Sequence, residues 1–200
     1  MELYIIRHGQ STNNALADLR ERSCDPPLTE VGVRQTEFLA RYLTETVLDH
    51  PGSPVNLPIT KLYCSPMRRA LQTARPVGDA LGLAPEVWIE IHERGGIYLD
   101  HGEDGGIVGY PGMTREEILA DFPHYVLPEA LTGEGWWKGG REDWPACQAR
   151  AIRVAHTLHA RAADDERIVM ISHGGFIDAL LKALFNQLPG RHVFYHHHNT

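Results

Sequence analysis

Cysteine is scarce in this chain: Cys24, Cys64 and Cys147 are the three thiols in 200 residues. They are odd in number, far apart and without a Cys-x-x-Cys pair, which suits neither a disulfide framework nor a zinc knuckle; reduced thiols are expected. Long apolar runs are missing as well. Leu3-Tyr4-Ile5-Ile6 and Ile168-Val169-Met170-Ile171 fall far short of the ~20 residues that a bilayer-spanning helix requires. The segment Met1 to Arg7 has an acidic second residue and too few apolar residues for a secretory signal or transit peptide, so a cytoplasmic protein with no membrane partner is expected. Excess positive charge is absent too. Lys plus Arg number 19 against 26 Asp plus Glu, a formal net charge of −7, which speaks against a nucleic-acid partner. An anionic small molecule is still compatible, because a local arginine cluster can hold phosphate inside an acidic protein.

What is present is an ordinary globular composition, 42% hydrophobic and 22% charged. It suits one domain over residues 1–200 with room for an elaborated loop. Leu3 to Arg7 reads as a strand buried on both faces. From the plausible N-cap Thr29, apolar Phe38, Leu39, Tyr42, Leu43 and Val47 recur at helical spacing until Pro51-Gly52-Ser53-Pro54 stops the helix. Leu62-Tyr63-Cys64 reads as a second strand. The helix after it carries Ala70, Leu71, Ala74, Val77 and Leu81, and Pro76 is expected to kink it. Glu86 to Ile91 alternates as a third strand. Gly95 to Gly112 is the longest irregular stretch, glycine-rich and acidic. Thr114 and Glu117 form a capping box for a short helix that Pro123 ends. Leu127 to Arg141 reads as a second loop, whose Trp136 and Trp137, with Tyr98 and Tyr110 of the first, either line a cavity or pack the loops. A helix from about Trp144 buries Ala151, Val154, Ala155 and Leu158. A strand from Ile168 to Ser172 and an amphipathic helix with Phe176, Ile177, Leu180, Leu181, Leu184 and Phe185 follow. His196-His197-His198 reads as strand, which sends the middle histidine to the opposite face, and no metal site is expected there.

Strands alternating with helices imply an α/β fold: a three-layer α/β/α sandwich on a mainly parallel sheet, with residues at about 92–142 inserted over its carboxyl edge. Ligands of such sheets bind at that edge. Four strand ends deliver polar groups there: Arg7-His8-Gly9, Ser65 to Arg69, Glu93-Arg94 and Ser172-His173-Gly174-Gly175. Two imidazoles and two guanidiniums suit a phosphoryl group, because arginine offers planar bidentate donors and the helix after His173 offers backbone N–H groups. Arginine beside the histidines disfavours a divalent cation.

These residues carry a resemblance to a known family. Arg7-His8-Gly9-Gln10-Ser11-Thr12-Asn13-Asn14 resembles the Arg-His-Gly-Glu-(Thr/Ser)-x-x-Asn signature of the histidine phosphatases, the phosphoglycerate mutase-like superfamily. Asp25-Pro26-Pro27-Leu28-Thr29-Glu30-Val31-Gly32 resembles its Asp-x-Pro-Leu-Thr-x-x-Gly run. Ser65 to Ala74 resembles Ser-x-x-x-Arg-Ala-x-Gln-Thr-Ala, which selects Arg69 over Arg68. Ile91-His92-Glu93 stands where the family has Leu-x-Glu, and Ser172-His173-Gly174-Gly175 matches its second-histidine motif. The resemblance covers nearly the whole chain and implies a phosphomonoesterase without cofactor. By it, His8 attacks phosphorus, Arg7, Arg69, His173 and Asn14 hold the equatorial oxygens, and Glu93 exchanges protons with the leaving alcohol and then with water. Ser11 is a further phosphate donor or a helix cap, Gly174 offers backbone N–H, and Glu103 and Asp104 are alternative acids. Arg7 and Arg69 are expected to depress the His8 pKa. A substrate monoanion, with a phosphate pKa near ~6, favours mildly acidic pH. Two alternatives remain: a phosphoglycerate-type mutase, whose relatives commonly extend beyond the point where this chain reaches Thr200, and a noncatalytic phosphate-binding module.

Overall fold

Alternating strands and helices fold as a parallel α/β unit in the computed structural model, which describes residues 1–45 and 58–188. The order is β1 (Glu2–Arg7), α1 (Thr12–Ala15), α2 (Glu30–Glu45), β2 (Lys61–Cys64), α3 (Arg68–Leu81), β3 (Glu86–Val87), β4 (Tyr98–Asp100), α4 (Gly102–Gly105), β5 (Ile107–Gly109), α5 (Arg115–Asp121), α6 (Trp144–Ala160), β6 (Arg167–Ser172) and α7 (Gly174–Leu184). Short 3-10 turns occupy Leu19–Glu21 and Ile89–Ile91. The main sheet has the strand order β1-β6-β2-β3, all parallel. The last strand among the described residues therefore lies between the first two.

That insertion explains why β6 is an unbroken aliphatic run. Every residue from Arg167 to Ser172 is buried. Val169 and Ile171 join the core built with α2 and α3, whereas Ile168 and Met170 join the core built with α6 and α7. Each such aliphatic side chain stabilises the fold by about 1.5–3 kcal/mol relative to exposure. The three layers expected from the sequence are these two helical layers and the sheet between them. No helix among the described residues is long and apolar enough to cross a membrane.

Several local expectations are corrected. β1 is the edge strand of the sheet among the described residues, and its residues are partly exposed rather than buried on both faces. The expected strand from Glu86 to Ile91 ends at Val87, after which the chain coils into the Ile89–Ile91 turn. Side-chain donors replace ladder partners there: Arg150 takes the carbonyls of Glu90 and His92, and Ser172 Oγ takes that of Ile91. Helix α2 buries Gly32, Thr36, Ala40 and Leu43, while Phe38 and Tyr42 stand 59% and 55% exposed. Small residues face inward because α2 presses close to its neighbours. Part of the irregular stretch is a hairpin of β4 and β5 enclosing α4. Pro76, expected to kink α3, lies inside that helix, which continues to Leu81. Val47, Pro51 to Pro54 and His196 to His198 lie outside the described residues.

Other local signals match the structure. Thr29 Oγ1 accepts the Gly32 N–H at 3.0 Å as an N-cap, and Thr114 and Glu117 form their reciprocal box. The three cysteines are free thiols.

The entry of α2 is tied closely to the loop after β1. A Cβ on Gly32 would lie 2.1 Å from the Gln10 carbonyl oxygen, and one on Gly9 would lie 2.7 Å from that of Gly32. Two backbones thus meet where no side chain fits. Gly32→Ala is expected to lower stability by about 1–3 kcal/mol through overpacking, measured as a lower urea midpoint; an unchanged midpoint would show that the loop gives way without cost.

Candidate active site

Strand register assembles the site. Arg7 pairs with Ser172, and Cys64 with Ile171, across the central strand. The residues that follow, His8, His173 and Ser65, therefore leave the sheet side by side. The His8 amide donates to the Ser172 carbonyl at 3.0 Å and the Ser65 amide to that of Ile171 at 3.1 Å, extending the ladder to the rim. The His8 and His173 ring centroids are 5.0 Å apart.

His8 is buried, and its Nδ1 lies 2.6 Å from the Gly9 carbonyl oxygen. A carbonyl can only accept, so Nδ1 carries the proton and Nε2 keeps its lone pair. Arg69 Nε donates to that Nε2 at 3.0 Å. Burial, then Arg69 and more weakly Arg7, hold the His8 pKa well below the usual imidazole range, against the opposing Gly9 bond. The arginines named from the sequence contribute, but burial is the larger cause.

His173 is fully buried, with Nε2 2.8 Å from Ser65 Oγ. That hydroxyl accepts the Met67 N–H at 3.2 Å. Among the described residues its own hydrogen has no acceptor other than His173 Nε2, and a buried hydroxyl rarely leaves its hydrogen unpaired, which puts the ring proton on Nδ1. Burial, followed by Arg69 and His8, keeps the His173 pKa well below its ordinary value. Among the described residues, His173 Nδ1 and Arg7 Nε are buried without hydrogen-bond partners. Buried donors rarely stay unpaired, and two beside one imidazole suit an anion.

Arg69 is positioned from behind by Asp25, 3.6 Å away. The same carboxylate accepts the Arg68 N–H at the start of α3, at 3.1 and 3.2 Å. Asp25 belongs to a quoted motif, yet its sequence gave no hint of this double role. Thr73 Oγ1 accepts the Gly9 N–H at 3.1 Å and donates to the Arg69 carbonyl at 2.7 Å, coupling the arginine's helix to the histidine loop. Gln72 Oε1 accepts the Leu28 N–H at 2.8 Å.

Ser11 and Asn14 bond to each other. Asn14 Oδ1 accepts the Ser11 N–H at 3.1 Å and its hydroxyl at 2.9 Å. Ser11 therefore serves as a helix cap here, and the Asn14 amide nitrogen is the end left for a ligand. Asn13 instead ties itself to the Ser23 backbone at 2.8 and 3.1 Å, which separates the two asparagines as the motif spacing did.

Glu93 enters from the turn beyond β3. Its carboxylate accepts backbone N–H groups from Arg94 at 2.7 Å, Phe176 at 3.0 Å and Gly175 at 3.3 Å. The last two belong to the first turn of α7, so amides expected to bind phosphate are given to Glu93. A Cβ on Gly175 would lie 2.7 Å from Glu93 Oε1, so this approach requires glycine. Gly174 opens α7 with its Cα beside Arg7; a Cβ there would lie 3.6 Å from Arg7 Nε. Glu103 is exposed and off the cavity wall, and the Asp104 side chain lies outside the described part.

Arg7, His8, Ser11, Asn14, Arg69 and Glu93 line a cavity of about 400 Å³, with Arg20, Arg22, Arg94 and Arg141 at its wall. A strongly cationic cleft thus sits in an acidic chain. Tyr98 also lines it, Tyr110 lines a neighbouring cleft, and Trp136 and Trp137 pack on His92 at ring distances of 5.3 and 5.0 Å.

Comparison with known proteins bears on the family and the fold. Residues 3–200 match the family model described as "Histidine phosphatase superfamily (branch 1)". A protein named "Probable phosphoglycerate mutase GpmB" from Yersinia pestis is 34% identical over 184 residues, 92% of this chain and 74% of that one. A mycobacterial glucosyl-3-phosphoglycerate phosphatase superposes with a TM-score of 0.56 at 24% identity, covering 94% of this chain and 80% of that chain. An ecdysone phosphate phosphatase from Bombix mori, in complex with tungstate, gives a TM-score of 0.63 at 15% identity over 98% and 82%. These two solved structures share the fold.

The buried imidazoles have a consequence for stability. Burial brings the His92 pKa down to about 3, with Arg150 adding to the effect. An unfolded histidine takes a proton near pH ~6.5, so below that pH the unfolded state binds protons that the folded state refuses. Stability is full above this value and falls as pH drops toward the folded pKa. Between pH 7 and pH 5, His92 alone should remove about 2 kcal/mol. In denaturant titrations, His92→Asn, whose amide can replace the ring Nδ1–H that faces the Glu93 carbonyl oxygen at 2.8 Å, should shrink the acid loss by that amount; an unchanged loss would contradict the assignment.

Proposed function

Because the chain belongs to the histidine phosphatase superfamily, branch 1, we propose that it is a metal-independent phosphomonoesterase that works through a phosphohistidine on His8. The observation that carries this reading is the 2.6 Å contact from His8 Nδ1 to the Gly9 carbonyl oxygen. It leaves the Nε2 lone pair of a neutral imidazole among Arg7 and Arg69 on the cavity wall. A neutral nitrogen nucleophile beside fixed guanidiniums is what in-line attack on a phosphate ester needs.

When substrate enters, Arg69 Nε exchanges its bond to His8 for a phosphoryl oxygen. His8 Nε2 attacks phosphorus and the bond to the ester oxygen breaks. Glu93 or the substrate's own phosphate proton neutralises the leaving alkoxide. Charge on the equatorial oxygens falls to Arg7, Arg69, the Asn14 amide, His173 Nδ1–H and the Gly174 N–H, with Ser11 acting through Asn14. Water then attacks the phosphohistidine, Glu93 takes its proton, and the P–N bond breaks to release inorganic phosphate and restore the Nε2 lone pair.

A second reading, a phosphoglycerate-type mutase, draws on the 34% identity to proteins of that name. Such an enzyme must shield the phosphohistidine from water. Exposed Asn14 and Arg22 at the cavity rim favour hydrolysis. The named relatives direct a substrate search to phosphoglycerates and other small phosphate esters.

Phosphate release from an aryl phosphate at pH 5 to 8, with and without chelator, tests the reading. Release that survives chelation and drops at least ~10³-fold in His8→Ala is expected, the scale of losing a covalent nucleophile. Phosphoglycerate interconversion without net release would favour the mutase. No turnover of any ester would leave a phosphate-binding module.

A further inference from the structure

Three backbone amides grip the carboxylate of Glu93, but the backbone beneath it has left the sheet. Beyond Val87 the carbonyls of Glu90, Ile91 and His92 have no ladder to join, and a loose turn there would let the carboxylate wander. Arg150 of α6 fills that gap. Its Nη1 donates to the Glu90 carbonyl at 2.5 Å and to that of His92 at 3.0 Å. Its other edge makes a bidentate pair with Glu142, Nε to Oε1 at 2.9 Å and Nη2 to Oε2 at 2.6 Å. The two side chains are 5% and 8% exposed.

Both partners reach further toward Glu93. The Glu142 amide donates to the Gly95 carbonyl at 3.1 Å, so the pair holds the backbone on either side of Glu93. The guanidinium lies over the Phe176 ring, 4.5 Å from its centroid. Phe176 is the residue whose N–H holds Glu93 Oε1. Arg150 thus holds the backbone leading into Glu93 and packs on Phe176, one of the three amide donors to that carboxylate, without touching the carboxylate itself. Apolar replacement of a buried ion pair is often neutral or stabilising, so stability alone is a weak reason for this one.

We propose that Arg150, held in its rotamer by Glu142, is a positioning residue that aims the Glu93 carboxylate at the leaving oxygen. The inference rests on Glu93 as the proton donor. It predicts a selective defect. An ester whose leaving group is stable without a proton, such as 2,4-dinitrophenyl phosphate, has no need of an aimed acid, whereas phenyl and alkyl phosphates do.

The test is kcat/KM across that ester series for the intact protein, Glu93→Gln, Arg150→Met, Arg150→Lys and Glu142→Gln. Arg150→Met should lose ~10²-fold on the alkyl ester, the scale of a 1 Å misplacement, and little on the dinitrophenyl ester. Lysine should rescue only part, because one ammonium cannot span two carbonyls and a carboxylate. Glu142→Gln should show the same selectivity in weaker form, and it covers the case in which Arg150→Met fails to fold. An equal loss on every ester, or none, overturns the proposal. If Glu93→Gln itself shows no leaving-group dependence, the reading of Glu93 fails first. If Glu93→Gln is selective and the Arg150 and Glu142 variants are not, only this inference fails.

Discussion

The site depends on one constraint: β6 runs parallel between β1 and β2 and in register with both. A slip of one residue along either ladder would turn alternate side chains to the other face and part His8 from His173. The register is held because β6 is buried on both faces, Val169 and Ile171 in one core and Ile168 and Met170 in the other. The chemistry at the rim is thus paid for by aliphatic packing several residues below it. The Gly9–Gly32 contact and the Thr73 bridge then fix the loop that leaves the edge strand.

Above that frame, electrostatics divides the work. Burial keeps both imidazoles neutral among arginines that also repel a further proton, so His8 retains a lone pair and His173 a single ring proton. Carbonyl and hydroxyl partners set which nitrogen carries each proton. Charge of the opposite sign is held behind the cleft: Asp25 lies against Arg69, and Glu142 against Arg150. The donors facing the cavity are left for a ligand. An acidic chain can thus present a cationic cleft, since salt screens the distant surface carboxylates while the cleft focuses the field of the arginines that line it.

Much of this was legible in the sequence. Short polar bursts after Ile6, Cys64 and Ile171 marked the strand ends, and ordered motifs named His8, Arg69 and His173. Helix α6 followed its apolar spacing to Ala151, Val154 and Leu158. Period alone could not place Glu86 to Ile91, because its alternation also fits a 3-10 turn whose carbonyls are claimed from distant elements. Nor could it choose the face of α2: Phe38 and Tyr42 are more apolar, but Gly32, Thr36 and Ala40 are small enough for close approach. Arg150 bonds to carbonyls about 60 positions away, a relation with no periodic trace. Its one signal was a charged residue inside the buried stripe of Cys147, Ala151 and Val154.

The claim on which the rest turns is that the phosphoryl group passes through His8 Nε2. Rapid quench of the protein with labelled phosphate ester into alkali, which preserves phosphohistidine, followed by peptide mass spectrometry, reads it directly. The account predicts label on the peptide bearing His8, bound through Nε2, formed within the first turnover and absent in His8→Ala. Turnover without any protein-bound phosphoryl group, or label on His173 instead, would contradict it.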